Sequence, residues 1–124
     1  MWHNSKKQAG NFGEMQVTSW LKQQGYQILQ CNYACKVGEI DIVAKKDQQL
    51  CFVEVKTRLK SYFDLSEVIT PTKQRRIVAA AKYYLLCSNY SGKELCRFDV
   101  ALVEKSTTGF EIRYLPNAFY GSEF

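Results

Sequence analysis

Between Gly38 and Arg58 the chain reads GEIDIVAKKDQQLCFVEVKTR, and Asp41, Glu54 and Lys56 are the residues in it whose types and spacing could do chemistry. Two carboxylates held side by side repel one another unless something neutralises them. Magnesium does so with one or two carboxylates, completing its shell with waters and substrate phosphate oxygens, and manganese can substitute for it. A lysine beside such a pair can activate a water or stabilise the charge that develops on phosphorus, which is what metal-assisted phosphodiester hydrolysis needs. The plainer alternative is an ion pair between Glu54 and Lys56 on a solvated strand face, the usual meaning of an isolated E-x-K. An acid upstream in a partner strand, at matching parity, favours the site.

A hairpin must position these groups. Ile40, Ile42 and Val43 on one side, and Cys51, Phe52, Val53 and Val55 on the other, are β-branched, aromatic or apolar, while Lys46 to Gln49 is polar. With the turn centred between Asp47 and Gln48, Asp41 is expected opposite Glu54 and Glu39 opposite Lys56. Ile40–Val55 and Ile42–Val53 are then expected to pair on an apolar reverse face. Glu39 is a secondary candidate, either tuning Lys56 or forming a cross-strand salt bridge with it. The backbone carbonyl of Val55 is a further candidate metal ligand between Glu54 and Lys56.

A first helix is expected over about Lys6 to Gln24, with Gly13, Val17, Trp20, Leu21 and Gln24 at helical spacing. Glu14 then lies on its inward side, as a third acid of the site, as the partner of a base, or as a solvated helix-edge residue. A second helix is expected with Thr70 as N-cap and Pro71 in its first turn. Its apolar stripe of Ile77, Ala80, Ala81, Tyr84 and Leu85 ends near Cys87 and should pack across the sheet. Lys73 falls in its first turn, where the helix dipole disfavours a cation, which hints at use on a phosphate. Lys56, Arg58 and Lys60 on one side, and Lys73, Arg75 and Arg76 on the other, could flank one cleft, or could coat solvated surfaces. Between them, Tyr62 and Phe63 either stack on bases or pack under their loop. The last strands are expected over Arg97 to Val103 and Phe110 to Leu115, with an internal Arg97–Asp99 salt bridge.

The 124 residues, 46% hydrophobic, suit one domain over residues 1–124. A net charge of +5 points to an anionic partner, most commonly nucleic acid. Five cysteines without a C-x-x-C make neither a disulfide framework nor a zinc site, and the single histidine, His3, excludes histidine-based hydrolysis. There is no P-loop, no dinucleotide fingerprint, no secretory leader and no apolar run long enough to span a bilayer. The expectation is therefore a cytoplasmic protein that does not contact the membrane.

Asp41, twelve intervening residues and then Glu54-Val55-Lys56 resembles the PD-(D/E)xK nuclease signature. The wider pattern resembles the YraN-like family of predicted endonucleases: Gly13-Glu14, Gly25-Tyr26, Asn32, Gly38 to Asp41, Phe52 to Lys56, Arg97 to Asp99 and Asn117 to Phe119. The resemblance covers nearly the whole chain. It implies an α/β, restriction-endonuclease-like fold, with a central mixed β-sheet carrying a hairpin active site flanked by helices, related to that of archaeal Holliday-junction resolvases. It also implies a magnesium site with acids at Glu14, Asp41 and Glu54, a catalytic lysine at Lys56, DNA as substrate, branched or structured DNA included, and by analogy a homodimer. One departure stands out: Ala34 occupies a position where an arginine is expected, leaving Lys36 as the nearest candidate for that phosphate contact. The competing reading is a nucleic-acid-binding or adaptor module that keeps the nuclease-like fold without cleaving. A purely structural protein, its acids and lysine mere ion pairs, would show no magnesium dependence.

Overall fold

A computed structural model describes residues 2–59, 68–90 and 92–121, with side chains from residue 11 onward. Lys60, Tyr62 and Phe63 lie outside the described residues. The elements follow in the order α1 (Trp2–Gln23), β1 (Gln27–Cys35), β2 (Gly38–Lys46), β3 (Gln49–Leu59), α2 (Pro71–Cys87), β4 (Leu95–Ser106) and β5 (Gly109–Phe119). The five strands form one sheet in sequence order. All neighbours are antiparallel except β3 and β4, which run parallel. The α2 segment supplies the long crossover that a parallel pair requires. A mixed five-stranded sheet with two helices is compatible with a restriction-endonuclease-like fold.

Each face of the sheet carries one helix. Val17 and Leu21 of α1 pack on Ile42, Ala44, Cys51, Val53, Ala101 and Val103. Ile77, Ala80, Ala81 and Tyr84 of α2 pack on Ile40, Val43, Leu50, Phe52, Phe98, Val100 and Leu102. Both faces of β3 are therefore apolar at its centre, and the expectation of one apolar and one polar face holds only for its far end. Glu54 and Lys56 continue the Leu50–Phe52 side of the strand, beyond the point where the core stops.

Local signals set the helix ends. At the end of α1, Tyr26 N donates to Leu21 O and Gly25 N to Lys22 O, both at 3.0 Å, with Gly25 at φ +93°. This is a Schellman closure, and its left-handed residue suits glycine. At the start of α2, Thr70 Oγ1 accepts from Lys73 N at 3.2 Å, and Pro71 occupies the first turn. The anticipated cap is the one formed. Strand β1, absent from the sequence expectation, is an edge strand with mostly exposed side chains.

The Arg97–Asp99 salt bridge is present and larger than anticipated. Asp99, fully buried, accepts from Arg97 Nε and Nη2 at 2.9 Å, from Tyr114 OH at 2.5 Å and from Asn117 N at 3.0 Å. Arg97 also donates to Tyr26 OH at 2.7 Å and to Gln49 Oε1. This cluster ties β4, β5, the end of α1 and the β2–β3 hairpin together under the Trp20–Tyr114 stack.

Candidate active site

The β2–β3 register is the expected one from Lys46↔Gln49 to Ile42↔Val53, and there it stops. The Ile40–Val55 pair is not formed, and neither Asp41–Glu54 nor Glu39–Lys56 continues the ladder. Instead Asp41 Oδ2 accepts the Val55 amide at 2.8 Å, so a side chain replaces the carbonyl that the ladder would have supplied. On the other side, partners run Cys31↔Ile42 and then Tyr33↔Ile40, skipping Asn32 and Asp41, with Asn32 at φ +56°. Side-chain alternation breaks at this step: Ile42 packs under α1, and Ile40 under α2. The strands part at Asp41, and the gap between them holds the candidate residues.

The gap opens into a cleft of about 1040 Å³. Glu14, Glu39, Asp41, Glu54, Val55, Lys56 and Arg58 line it from α1, β2 and β3, and Lys73 and Arg76 line it from α2. Two glycines set the helices. An ideal Cβ on Gly13 would lie 2.3 Å from Thr57 Oγ1, and one on Gly38 would lie 2.5 Å from the Arg76 carbonyl oxygen. Gly13 thus seats α1 against β3 beside Glu14, and Gly38 lets the first turns of α2 close over the start of β2.

Asp41 and Glu54 meet without full compensation. Burial, then the charge and hydrogen bond of Glu54, push the Asp41 carboxyl up to about 8, against the lowering effect of the Val55 amide. Burial and mutual repulsion therefore disfavour ionising both carboxyls together, so the pair tends to retain a proton. Glu54, only 7% exposed, is held on its other side by Lys73, with Nζ 2.5 Å from Oε2. Glu14 is half-buried; burial raises its pKa, a hydrogen bond with Asn32 opposes this, and the charges of Glu54 and Glu39 add to the rise. Lys56 is pushed down by burial, then by Lys73 and Arg58, with Glu54 opposing. For Lys73, burial acts downward but is outweighed by the hydrogen bond and charge of Glu54, so its ammonium form is favoured.

The structure thus gathers Glu14, Glu39, Asp41, Glu54 and Lys56 in one cleft, with Arg58, Lys73 and Arg76 on its walls. It does not bring Arg75 or Lys36 there. Arg75 bonds Thr72 Oγ1 at 3.1 Å and borders a separate groove with Lys82 and Tyr120, and Lys36 is exposed away from the cleft. Thr57, Thr70 and Thr72 line the cleft unanticipated. Also unanticipated is the Lys73–Glu54 contact, whose only sequence signal was a cation in an unfavourable first turn.

Among the described residues no three Asp, Glu, His or Cys side chains are gathered as a ready metal cage. The donor set fits an open site instead. Two adjoining carboxyls whose burial and mutual repulsion disfavour joint ionisation suit a hard cation that keeps most of its shell as water and phosphate. Elsewhere, all five cysteines are free, and among the described residues no helix is long and apolar enough to cross a membrane.

Comparison with known proteins agrees with the sequence pattern. Residues 13–103 match the uncharacterised protein family UPF0102. A UPF0102 protein of Lachnoclostridium phytofermentans is 48% identical over 122 residues, covering 95% of this chain and 99% of its own length. Relatives from Caldicellulosiruptor saccharolyticus and Clostridium perfringens are each 40% identical, covering 93% and 91% of this chain and 99% and 94% of their own lengths. With the match running from Gly13 through both strands of the hairpin to Val103, the chain belongs to the uncharacterised family UPF0102, the YraN family.

Proposed function

We propose that the protein is a magnesium-dependent endonuclease acting on DNA phosphodiester bonds, branched or structured DNA included. The observation that carries this reading is the opened hairpin, which turns Asp41 and Glu54 towards one another at the floor of a basic-walled cleft, with Lys56 next along the strand. A structural ion pair gives no reason for a sheet to part its strands around two acids. Asp41 and Glu54 hold the metal, joined by the Val55 carbonyl, with Glu14 completing the acidic cluster directly or through water. The bound cation would supply Lewis-acid charge to the phosphodiester and lower the pKa of water in its shell.

The remaining work falls to the chain's own residues. Lys56, its amine pushed towards the neutral form by burial and by Lys73 and Arg58, is suited to position or deprotonate the attacking water. Arg58 and Arg76 on the cleft walls bind flanking phosphates, a contact that secures position rather than sequence. Manganese serves as a substitute cation.

One observation favours a second reading. The Lys73–Glu54 ion pair already neutralises Glu54 without a metal, as a binding or adaptor module of the same fold would require. Labelled duplex, single-stranded, flapped and four-way DNA, incubated with magnesium, manganese or EDTA, separates the two. Cutting that needs metal and is lost in Glu54→Gln and Lys56→Ala supports the nuclease. Salt-sensitive binding to every substrate with no cutting supports the adaptor. Metal-independent cutting, or equal cutting by the variants, rejects the site assignment.

A further inference from the structure

Lys73 is the only α2 side chain with a defined ion pair to a site acid among the described residues, and this contact gives it a second role. We propose that Lys73 is a displaceable cation: it holds Glu54 while no metal is bound, and on metal entry passes to a substrate phosphate oxygen, so that metal and phosphate bind cooperatively. The inference rests on the metal-site reading above.

Three features support the exchange. The ammonium lies 2.5 Å from Glu54 Oε2, so Lys73 and a divalent cation cannot share that oxygen without repulsion. The backbone of Lys73 is pinned, its amide donating to Thr70 Oγ1, while its side chain remains 34% exposed; the chain can swing without moving the helix. Cations also line the cleft beside it: Lys56, whose pKa is lowered by burial and then by Lys73, with Arg58 on β3 and Arg76 on α2, a setting that calls for an anion between them once the ammonium leaves Glu54. A phosphate oxygen entering between them gives Lys73 a new partner at the moment the metal takes its old one.

The test follows binding, not turnover. Free Mn²⁺ is monitored by electron paramagnetic resonance in titrations of the full chain, the Lys73→Met and Lys73→Gln variants, and Glu54→Gln; circular dichroism establishes that each is folded. In parallel, fluorescence anisotropy measures affinity for a short labelled duplex in EDTA and in Ca²⁺. The expected result is Mn²⁺ affinity higher by about tenfold in both Lys73 variants, with the metal-induced gain in duplex affinity reduced by a similar factor, since binding linkage is reciprocal. Unchanged or weaker Mn²⁺ affinity in both, with binding still lost in Glu54→Gln, overturns the role of Lys73 and leaves the metal site standing. Mn²⁺ binding by none of the proteins, or binding indifferent to Glu54→Gln, removes the metal site and the exchange with it.

Discussion

Replacing Asp41 by Asn should stabilise the metal-free protein by an amount that grows with pH, roughly 2 to 4 kcal/mol more at pH 8 than at pH 5. The folded-state pKa of Asp41 is raised from 3.8 to about 8, with burial as the main cause and Glu54 next. Between those values the folded protein holds a proton that the unfolded chain releases, so this group lowers stability as pH rises. The sign is opposite to that of an ordinary salt-bridged aspartate. At about 1.4 kcal/mol per pKa unit, the loss from pH 5 to pH 8 is roughly 2 to 4 kcal/mol, the lower figure allowing for solvent screening in the open cleft. Asn cannot ionise, and its side-chain oxygen can still accept the Val55 amide, so the variant escapes the loss while keeping the observed hydrogen bond.

Thermal melts in EDTA at pH 5, 6.5 and 8 measure this directly. For a chain of this size, 2 to 4 kcal/mol corresponds to roughly 10 °C in Tm. The variant's advantage in Tm over the wild type should therefore be about 10 °C larger at pH 8 than at pH 5. A gap that is absent at pH 8, or equal at both ends, would refute the picture of Asp41 as a carboxyl short of compensation beside Glu54. Magnesium should shrink the gap from the other side, because a ligand at about 100 times its Kd stabilises the folded wild type by about 2.7 kcal/mol and the variant far less.

Other parts of the structure make independent demands. Asp99→Ala should cost about 3 to 5 kcal/mol by leaving Arg97 without its carboxylate in a buried setting; urea unfolding with an unchanged midpoint would contradict it. Gly13→Ala should destabilise by about 1 to 3 kcal/mol despite its better helix propensity, since its Cβ meets Thr57 Oγ1, and Thr57→Ala should largely rescue it. Additive effects in that double-mutant cycle would rule the contact out. Native thiol titration should label Cys31 and Cys87 first and Cys51 last, because Cys51 is buried and its thiol is pushed up to about 12 by burial and by Asp99.

The extent to which the sequence foretold this depends on what kind of interaction set each feature. The polar turn at Asp47 and Gln48 between two apolar runs was enough to place the hairpin register from Lys46–Gln49 to Ile42–Val53, although the runs prove to be buried on both faces rather than alternating. Alternation carries no information about where a ladder ends, so the parting at Asp41, driven by a side chain bonding a backbone amide, was invisible. Strand β1 was missed because its exposed, polar sequence lacks period-two patterning and Asn32 adopts a left-handed conformation within it. Arg97 and Asp99, two apart on one strand, were legible as a pair; the Tyr26, Tyr114 and Asn117 contacts needed tertiary placement. The same holds for Lys73, which reaches Glu54 only because Gly38 lets α2 close on β2. Arg75 and Arg76 looked equivalent in sequence, yet one residue of helix rotates the side chain about 100°, which puts Arg76 on the cleft and Arg75 outside it.

Two aspartates, Asp99 in the buried cluster and Asp41 in the cleft, are compensated in opposite ways. Asp99 is supplied with donors from Arg97, Tyr114 and Asn117, so its charge is fully answered and its position fixed. Asp41 is given one backbone amide and a second acid, and burial and that acid push its carboxyl up. A buried carboxylate left short of donors is costly, and a sheet with ladder pairs to spare could have closed over it. β2 and β3 part at Asp41, while Asp99 is held by three other residues, so the deficit of compensating charge lies in the cleft and not in the buried cluster. On the proposed reading, a divalent cation would fill that deficit and at the same time recruit a phosphate.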